Sequence, residues 1–388
     1  MDTKPKAITV GAGIAGLSAA WWLDKAGWES TIIERASSIR DGGYVIGISG
    51  IGLDTLKRMD LEKHLDGVTY KFDENLVRDN NGRELVRLQY KDVHGGIENL
   101  ALGRGDVAHA LAKALPESVT VRSSETVTDI VDDGTKVRAT LASGETIEGD
   151  LLIGADGIRS SVRDKCWGDA GCLEHLGYSY AVYDLEGTSD FESSCVSFNS
   201  PGHLDIFYSL RDDRLAAMHI WRDDQAKLQD RERRFDILRD VTAGGVKTIT
   251  DFIDRAEAAG ASPLIDSLTM VTLPHWSRGR VLLLGDAAHC LTLISGQGAG
   301  MALASAEILG NELMETKDVS QALLNHEKKL RPIIERLQGR SRSMAAMYIP
   351  KSRWMYYLRN ILVKLMPSSW IASWHANSAR SEVDLTKK

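Results

Sequence analysis

The sequence predicts an α/β protein in which a Rossmann-like domain is interleaved with a β-sheet domain and followed by C-terminal helices. A glycine-rich turn lies between a buried-strand pattern and a helix pattern near the N-terminus. Several central segments alternate polar and apolar residues with a period of two, and the residues after Gly298 follow a helical period. The chain has 388 residues, and since ordinary domains run to ~100–200 residues, we expect two domains or one large α/β domain with an insertion.

Composition and charge exclude several classes of protein. Apolar residues make up 43% of the chain and charged residues 26%, as in an average globular protein and unlike a disordered one. The net charge is -7, with both signs interspersed, so we expect no nucleic-acid partner. Four cysteines without a C-x-x-C pair predict reduced thiols in a cytoplasmic protein and no metal site. The apolar run at residues 7–23 is interpreted as part of the glycine motif, not as a signal peptide.

The predicted elements follow one another along the chain. The first three form a β-α-β unit: Ala7–Val10, Leu17–Ala26 and Ser30–Glu34. Alternating segments with hairpin turns then predict antiparallel ribbons, and a second sheet with two helices follows before the chain returns to a buried strand and ends in helices. In order, these segments are 71–88, 119–150, 178–221, 230–241, 248–259 and 281–284.

The glycine-rich turn Gly11–Gly16 (GAGIAG) has the full context of a dinucleotide-binding fingerprint. It follows a strand and opens a helix, and Glu34 stands at the end of the next strand. Glycines permit the tight turn and the close approach of phosphate, and a helix N-terminus offers N–H groups to a pyrophosphate. The carboxylate of Glu34 is placed to accept a hydrogen bond from a ribose hydroxyl. FAD and NAD both fit this pattern.

Two later motifs separate these cofactors. The first is Gly154–Arg159 (GADGIR), and the second is Arg280–His289 (RVLLLGDAAH) followed by Ser295–Gly298 (SGQG). With the fingerprint, they resemble the FAD-dependent class A monooxygenases of the para-hydroxybenzoate hydroxylase type over nearly the whole chain. Within that group, Gly42-Gly43, Leu102–Asp106 (LGRGD) and the SGQG segment are most similar to the tetracycline-inactivating monooxygenases, or tetracycline destructases.

The resemblance implies a discontinuous FAD-binding domain and a substrate-binding domain. The FAD-binding domain would comprise residues 1–70, 98–175 and 275–318, the substrate domain residues 71–97 and 176–274, and the bridging or lid helices residues 319–388. FAD contacts are implied at Gly11, Gly13, Ala15, Gly16, Glu34, Arg35, Gly43, Arg104, Asp156, Asp286, Gly296, Gly298 and Ala299.

The implied activity is hydroxylation of a polycyclic or aromatic substrate by NAD(P)H and O₂, with tetracyclines as one expected substrate class. The oxygen chemistry would take place at the flavin C4a atom, so no catalytic side chain is assigned. NADPH or NADH is expected to bind transiently, because no second dinucleotide fingerprint occurs. Asp156 and Arg159 belong to a motif that contributes to handling both FAD and NAD(P)H in this group.

Substrate contacts are expected on the face of the second sheet that faces the flavin. The candidates are His203, Phe207, Met218, His219 and Trp221, although a lone histidine on a sheet is more often structural. Strand alternation places Met218 on one face, with His219 and Trp221 on the other.

The sequence departs from the family pattern in two places, and alternatives follow. The run Cys290–Ile294 lacks the usual proline, and Gly47 stands where the tetracycline-inactivating relatives often carry an acid. One alternative is an aromatic-compound hydroxylase of biosynthesis or catabolism. Others are a flavin reductase without oxygen insertion and a protein that sequesters a ligand and holds FAD structurally. The absence of G-x-S-x-G and H-E-x-x-H patterns argues against a hydrolase and a metalloenzyme.

An amphipathic helix is predicted after Pro350, with apolar residues from Trp354 to Leu365 and a basic polar side. A lid over the substrate cleft, a helix bridging the two domains and a membrane contact strengthened by Trp370 and Trp374 all fit this pattern. Bridging or a lid is favoured because the polar side carries few charges. We expect a monomer with no membrane contact.

Overall fold

The computed structural model describes residues 4–39, 44–93, 98–168, 171–187, 194–223, 233–350 and 352–366. The strands are β1 (Lys6–Val10), β2 (Glu29–Ile33), β3 (Val45–Ser49), β4 (Glu74–Asp79), β5 (Glu84–Gln89), β6 (Asn99–Gly103), β7 (Val119–Arg122), β8 (Val127–Asp132), β9 (Val137–Leu141), β10 (Thr146–Gly149), β11 (Leu151–Gly154), β12 (Leu173–Glu186), β13 (Cys195–Ser200), β14 (His203–Ser209), β15 (Arg214–Arg222), β16 (Leu264–Val271), β17 (Ser277–Arg278) and β18 (Val281–Leu283).

The helices are α1 (Ile14–Lys25), α2 (Gly50–Arg58), α3 (Glu62–Leu65), α4 (Tyr90–Val93), α5 (Arg104–Lys113), α6 (Ser161–Trp167), α7 (Arg234–Thr242), α8 (Lys247–Ala258), α9 (Asp286–His289), α10 (Gly298–Glu315), α11 (Val319–Tyr348) and α12 (Arg353–Leu365). In the described part of the chain, none of them combines the length and the apolar character that crossing a membrane requires. The mixture of sheets and helices confirms the predicted α/β class.

The first sheet has the order β17-β18-β11-β1-β2-β7. Strands β18, β11, β1, β2 and β7 run parallel, and β17 pairs antiparallel at the edge. Strands β1 and β11 are almost continuously buried, as expected for parallel strands that are covered on both faces. One expectation is corrected here, because β7 joins this parallel sheet beside β2 instead of forming an antiparallel ribbon. Strands β8, β9 and β10 do form a separate antiparallel sheet.

The second sheet has the order β16-β12-β15-β14-β13-β4-β5. Its strands pair antiparallel except β4 and β13, which run parallel. Because β4 and β5 precede most of the first sheet along the chain, the polypeptide passes between the two sheets more than once. One face of the second sheet packs against α7 and α8 through a buried apolar cluster that includes Phe207, Trp221, Leu238, Ile249 and Phe252.

Helix α11 connects the two sheets. The amide of Gln338 donates to the carbonyl oxygen of Val271 at 2.8 Å, and Ser341 Oγ donates to the carbonyl oxygen of Leu291 at 2.9 Å. Thus α11 is tied both to the end of β16 and to the loop that follows α9. It continues through Pro332.

A buried polar network lies inside the helix-covered face of the second sheet. Asp205 Oδ1 accepts from His203 Nε2 at 2.7 Å and from His219 Nδ1 at 2.6 Å, while His203 Nδ1 lies 3.0 Å from the carbonyl oxygen of Val241. Both ring nitrogens of His203 therefore face acceptors, which favours the imidazolium form. Burial lowers the pKa of His203, but the charge and hydrogen bond of Asp205 outweigh burial and raise it above 6.5. Despite burial, the two histidines hold the pKa of Asp205 at about 2.

We expect Asp205→Asn to lower the free energy of unfolding by about 3–5 kcal/mol at pH 7, because it leaves a buried imidazolium without its counterion. The raised pKa of His203 stabilises the fold below pH 6.5, and this contribution is lost as the pH rises through the raised value. Wild-type protein should therefore lose this contribution progressively as the pH rises above 6.5, and the variant should lack that slope. Urea unfolding at several pH values measures both effects.

Asp184→Asn is the matched control on the same sheet. Asp184 accepts from Arg214 at 2.8 Å, and the Arg214 side chain is 46% exposed, so its loss should cost less than about 1 kcal/mol. Equal losses in the two variants would contradict the assignment of a buried ion pair at Asp205.

Candidate functional site

A cavity of about 550 Å³ lies between the first and second sheets. Its first wall is formed by the segments that follow the neighbouring parallel strands β18, β11 and β1. Open α/β sheets bind ligands at this end, beyond the carboxyl ends of the strands. Residues 13–15, 155, 157–158 and 286 lie in the loops and helix starts that follow these strands. The opposite wall is the open face of the second sheet, which contributes Leu204, Ile206, Met218 and Ile220.

The glycine turn after β1 leaves open space beside the first residues of α1. No side chain caps this helix, so its first N–H groups stay available to a ligand. A Cβ on Gly13 would meet nothing within 4 Å, whereas a Cβ on Gly16 would lie 1.9 Å from the carbonyl oxygen of Gly11. Gly16 is therefore needed for close packing, and Gly13 faces open space beside the helix N-terminus. This arrangement fits the pyrophosphate of a dinucleotide such as FAD.

Glu34 holds the loops beside this turn. Its Oε2 accepts from the backbone N–H of Ala12 at 2.7 Å, and its Oε1 accepts from the N–H of Ala36 at 2.8 Å. Each carboxylate oxygen has two acceptor sites. The residue thus fixes the turn and keeps acceptor capacity for a ribose hydroxyl.

Asp286 begins α9 immediately beyond β18, and its carboxyl group is accessible from the cavity. Its surroundings are nevertheless protein on most sides, and burial raises the pKa of Asp286 while the charge of Arg104 opposes that shift. A Cβ on Gly298 would lie 3.9 Å from Asp286 Oδ1. Asp286 therefore stands beside the N-terminus of α10, which has no side-chain cap.

The remaining predicted FAD residues divide into two groups. Ala15, Arg104, Gly296 and Ala299 also line the cavity. The others do not line it within the described chain: Arg35 is exposed, Gly43 lies outside the described residues together with Gly42, and Asp156 accepts from the N–H groups of Ser161 at 2.7 Å and Val162 at 3.2 Å. Asp156 therefore serves the N-terminus of α6.

Arg159 joins the two sheets across the edge of the cavity. Its guanidinium donates to Asp266 Oδ1 at 2.6 Å, and Asp266 lines the cavity from β16. The Asp266 side chain is 13% exposed, so this ion pair is partly shielded from water. It links the loop after β11 to the edge strand of the second sheet.

Only one of the five substrate candidates faces the cavity. Met218 lines it, while His203, Phe207, His219 and Trp221 lie on the helix-covered face of the second sheet. The expectation of substrate contact is corrected for these four. The reason is the two-residue period of β14 and β15, which turns Leu204, Ile206, Met218 and Ile220 to the cavity.

Several polar residues of the cavity wall were not among the site residues that the sequence predicts. Ser197 Oγ donates to Asn75 Oδ1 at 2.9 Å across the parallel pair β4–β13, and Asn199 lies two residues further along the same face. Tyr44 and Tyr180 also line the cavity, and burial raises the pKa of both hydroxyls, so they stay protonated at neutral pH. The only sequence signal was the two-residue spacing of Ser197 and Asn199, which marks a shared face without saying which one.

The segment without the family's usual proline forms a wall of the cavity. Cys290 to Ile294 all line it, and Thr292 has φ 68° and ψ 161°. Such a backbone conformation is costly for a residue with a branched side chain, and surrounding contacts must hold it. One such contact is the hydroxyl of Ser295, which donates to the carbonyl oxygen of Thr292 at 3.0 Å.

Comparisons with known proteins agree with this geometry. A family model described as an FAD binding domain matches residues 4–341. The chain is 30% identical to the 2-heptyl-3-hydroxy-4(1H)-quinolone synthase of Pseudomonas aeruginosa, over 92% of this chain and 94% of that protein.

The fold is also similar to solved structures. One is the tetracycline destructase Tet(55), with a TM-score of 0.81, 23% identity and coverage of 94% of this chain and 96% of that chain. Another is Klebsiella pneumoniae HpxO complexed with FAD and uric acid, with a TM-score of 0.83, 21% identity and coverage of 97% of both chains. At these identities the structures establish the fold, and the family match confirms the resemblance found in the motifs.

We expect Gly13→Ala and Gly16→Ala to separate binding from folding. Gly16→Ala should lower the free energy of unfolding by about 1–3 kcal/mol, because its Cβ overlaps the Gly11 carbonyl. Gly13→Ala should unfold like the wild type but bind FAD about tenfold more weakly, a change of ~1.4 kcal/mol. Urea unfolding and titration of flavin fluorescence measure the two effects. Unchanged FAD affinity in Gly13→Ala would show that the open space beside α1 is not the phosphate site.

Proposed function

Because this chain belongs to the FAD binding domain family of flavin-dependent monooxygenases, we propose that it uses NADPH or NADH and O₂ to hydroxylate a neutral aromatic or polycyclic substrate. The observation that carries the proposal is a single cavity with a dinucleotide-type glycine turn, Asp286 and two uncapped helix N-termini on one wall and an apolar sheet face on the other. Bound FAD would supply the redox chemistry that activates O₂.

The residues of the first wall would hold the cofactor. The N–H groups at the start of α1 would bind the pyrophosphate over Gly13, and Glu34 would accept from the adenosine ribose. Asp286 would accept from hydroxyl groups of the ribityl chain. The N-terminus of α10, at Gly298, would favour the negative charge that a reduced flavin ring carries.

The residues of the second wall would orient the substrate and exclude water. Leu204, Ile206, Met218 and Ile220 present an apolar surface, and an apolar pocket with few polar groups selects ligands by shape. Removing water from the reacting centre also limits wasteful side reactions. The amide of Asn75 and the hydroxyl of Ser197 would set the orientation of the substrate through hydrogen bonds.

The charges of the cavity favour a neutral substrate over an aromatic carboxylate. Among the described residues that line it, Arg104 is the only basic one, and it lies on the cofactor wall near Asp286. Asp266 is already paired with Arg159. A buried substrate carboxylate would therefore lack a partner on the second wall, at a cost of several kcal/mol.

Within this class, two ring systems are the first candidates. The relative from Pseudomonas aeruginosa is named for a hydroxylated alkylquinolone, a neutral bicyclic molecule that suits the apolar wall. Tetracycline oxidation is the second candidate, because a tetracycline destructase shares this fold over 94% of the chain. The choice of nicotinamide and the monomeric state stay predictions.

We expect purified protein, loaded with FAD and supplied with NADPH or NADH, to incorporate one oxygen atom from ¹⁸O₂ into its product. The assay compares alkylquinolones, tetracycline and a phenolic acid, scored by the mass of the product. Neutral ring compounds should react faster than the acid. Stimulated NAD(P)H oxidation without ¹⁸O in any product would favour a flavin reductase, and no FAD binding at all would contradict the proposal.

We expect Met218→Trp to raise KM for a substrate at least about tenfold, because the larger side chain would occupy the cavity. FAD affinity should stay unchanged, since the cofactor residues lie on the other wall. Trp221→Phe is the control on the same strand, and it faces α7 and α8, so it should alter stability and leave KM unchanged. Equal KM values in wild type and Met218→Trp would show that this face does not bind the substrate.

A further inference from the structure

Helix α12 carries the main concentration of exposed apolar side chains in the described structure. Of the fourteen large apolar side chains that are exposed there, eight lie between residues 354 and 366, with exposed fractions from 40% to 76%. They are Trp354, Met355, Tyr357, Leu358, Ile361, Leu362, Leu365 and Met366. Contiguous exposed apolar surface of this kind marks an interaction site.

The orientation of α12 is fixed by contacts on its opposite side. Tyr356 is fully buried, and its hydroxyl donates to the carbonyl oxygen of Asn199 at 2.7 Å. Arg359 donates to Asn199 Oδ1 at 2.6 Å, and Asn360 is also buried. At 3.6 residues per turn, the exposed apolar residues cover one contiguous half of the helix. The contacts with Asn199 therefore turn that half outward, and it is not the face that bridges the two sheets.

The sequence on either side of α12 carries charge of one sign. Residues 336–381 contain eight basic residues and no acidic residue, in a chain whose net charge is -7. By helical position, Arg353 and Lys364 lie at one edge of the apolar half, whereas the side chain of Arg359 is engaged by Asn199. An apolar face with a basic edge is the pattern of a helix that lies in the interface of a membrane with anionic lipids.

We propose that the apolar half of α12 docks the protein on the surface of an anionic lipid bilayer. The apolar side chains would enter the boundary between headgroups and acyl chains, and the basic edge at Arg353 would contact the lipid phosphates. The sequence favoured a lid or a bridge because the polar side carries few charges. The structure changes that assessment, since the apolar half faces away from both sheets. This proposal does not depend on the proposed reaction.

The position of α12 relates the docking surface to the cavity. Asn199, which holds α12, lines the cavity, and so does Ile349 just before this helix. A membrane-bound protein would thus hold its apolar cavity wall beside the lipid phase. An apolar substrate dissolved in lipid would reach the cavity over a short distance.

Flotation of the full chain, loaded with FAD, with lipid vesicles tests the proposal. We expect the protein to float with vesicles of phosphatidylglycerol and phosphatidylcholine, and less with phosphatidylcholine alone or at high salt. The triple variant Trp354→Ser/Ile361→Ser/Leu365→Ser should lower the partition coefficient by about tenfold or more. All three positions are more than half exposed, so folding should be kept, and the FAD content checks this.

The control is Leu264→Ser/Met314→Ser/Leu324→Ser, which removes three apolar side chains elsewhere that are 46%, 49% and 57% exposed. It should float like the wild type, and Arg353→Gln/Lys364→Gln should lose only the preference for anionic vesicles. No flotation of the wild type, or equal flotation of the α12 triple variant, overturns the proposal. Light scattering identifies a second possibility. If the wild type is a dimer that does not bind vesicles, and the α12 triple variant is a monomer, then a second copy of the chain covers the apolar half of α12. If the wild type is a monomer that does not bind vesicles, residues 367–388 become the candidate segment to cover the apolar half of α12.

Discussion

The positive ends of helices converge on one cavity, and the arrangement of the site depends on this. Helices α1, α5 and α10 begin at Ile14, Arg104 and Gly298, and all three starts line the cavity. Each N-terminus carries roughly half a positive charge together with N–H groups that have no partner within the helix. No side chain caps these helices. The first N–H of α5 donates to the carbonyl oxygen of Tyr44 at 3.2 Å, and the remaining potential is available to a ligand rich in negative charge. A dinucleotide with a pyrophosphate and a reducible ring meets this requirement.

The second constraint is the alternation of side chains along the second sheet. A strand has only two faces, and α7 and α8 cover one of them. The covered face takes large aromatic groups and the network of His203, Asp205 and His219. The open face is left with aliphatic residues and a few amides and hydroxyls. The same backbone pairing therefore produces a helix-covered support on one face and an apolar cavity wall on the other.

Much of the first wall could be predicted from the sequence, and little of the second. The glycine turn, Glu34 and Asp286 belong to local motifs whose geometry follows from a strand, a turn and a helix start. Four of the five residues predicted to contact substrate lie on the helix-covered face, because alternation identifies two faces without showing which one the helices cover. Asp156 looked like a ligand residue, yet its carboxylate serves the start of α6. Long-range packing decides both questions, and it leaves no mark in a local pattern.

A crystal structure of the protein with FAD tests the account most directly. We expect the pyrophosphate over Gly13 at the start of α1, a ribityl hydroxyl within hydrogen-bond distance of Asp286, and the flavin ring beside Gly298, with space for a substrate between the ring and the face that carries Met218 and Ile220. FAD bound outside this cavity would contradict the account. So would a ring that faces solvent with no space left against the second sheet.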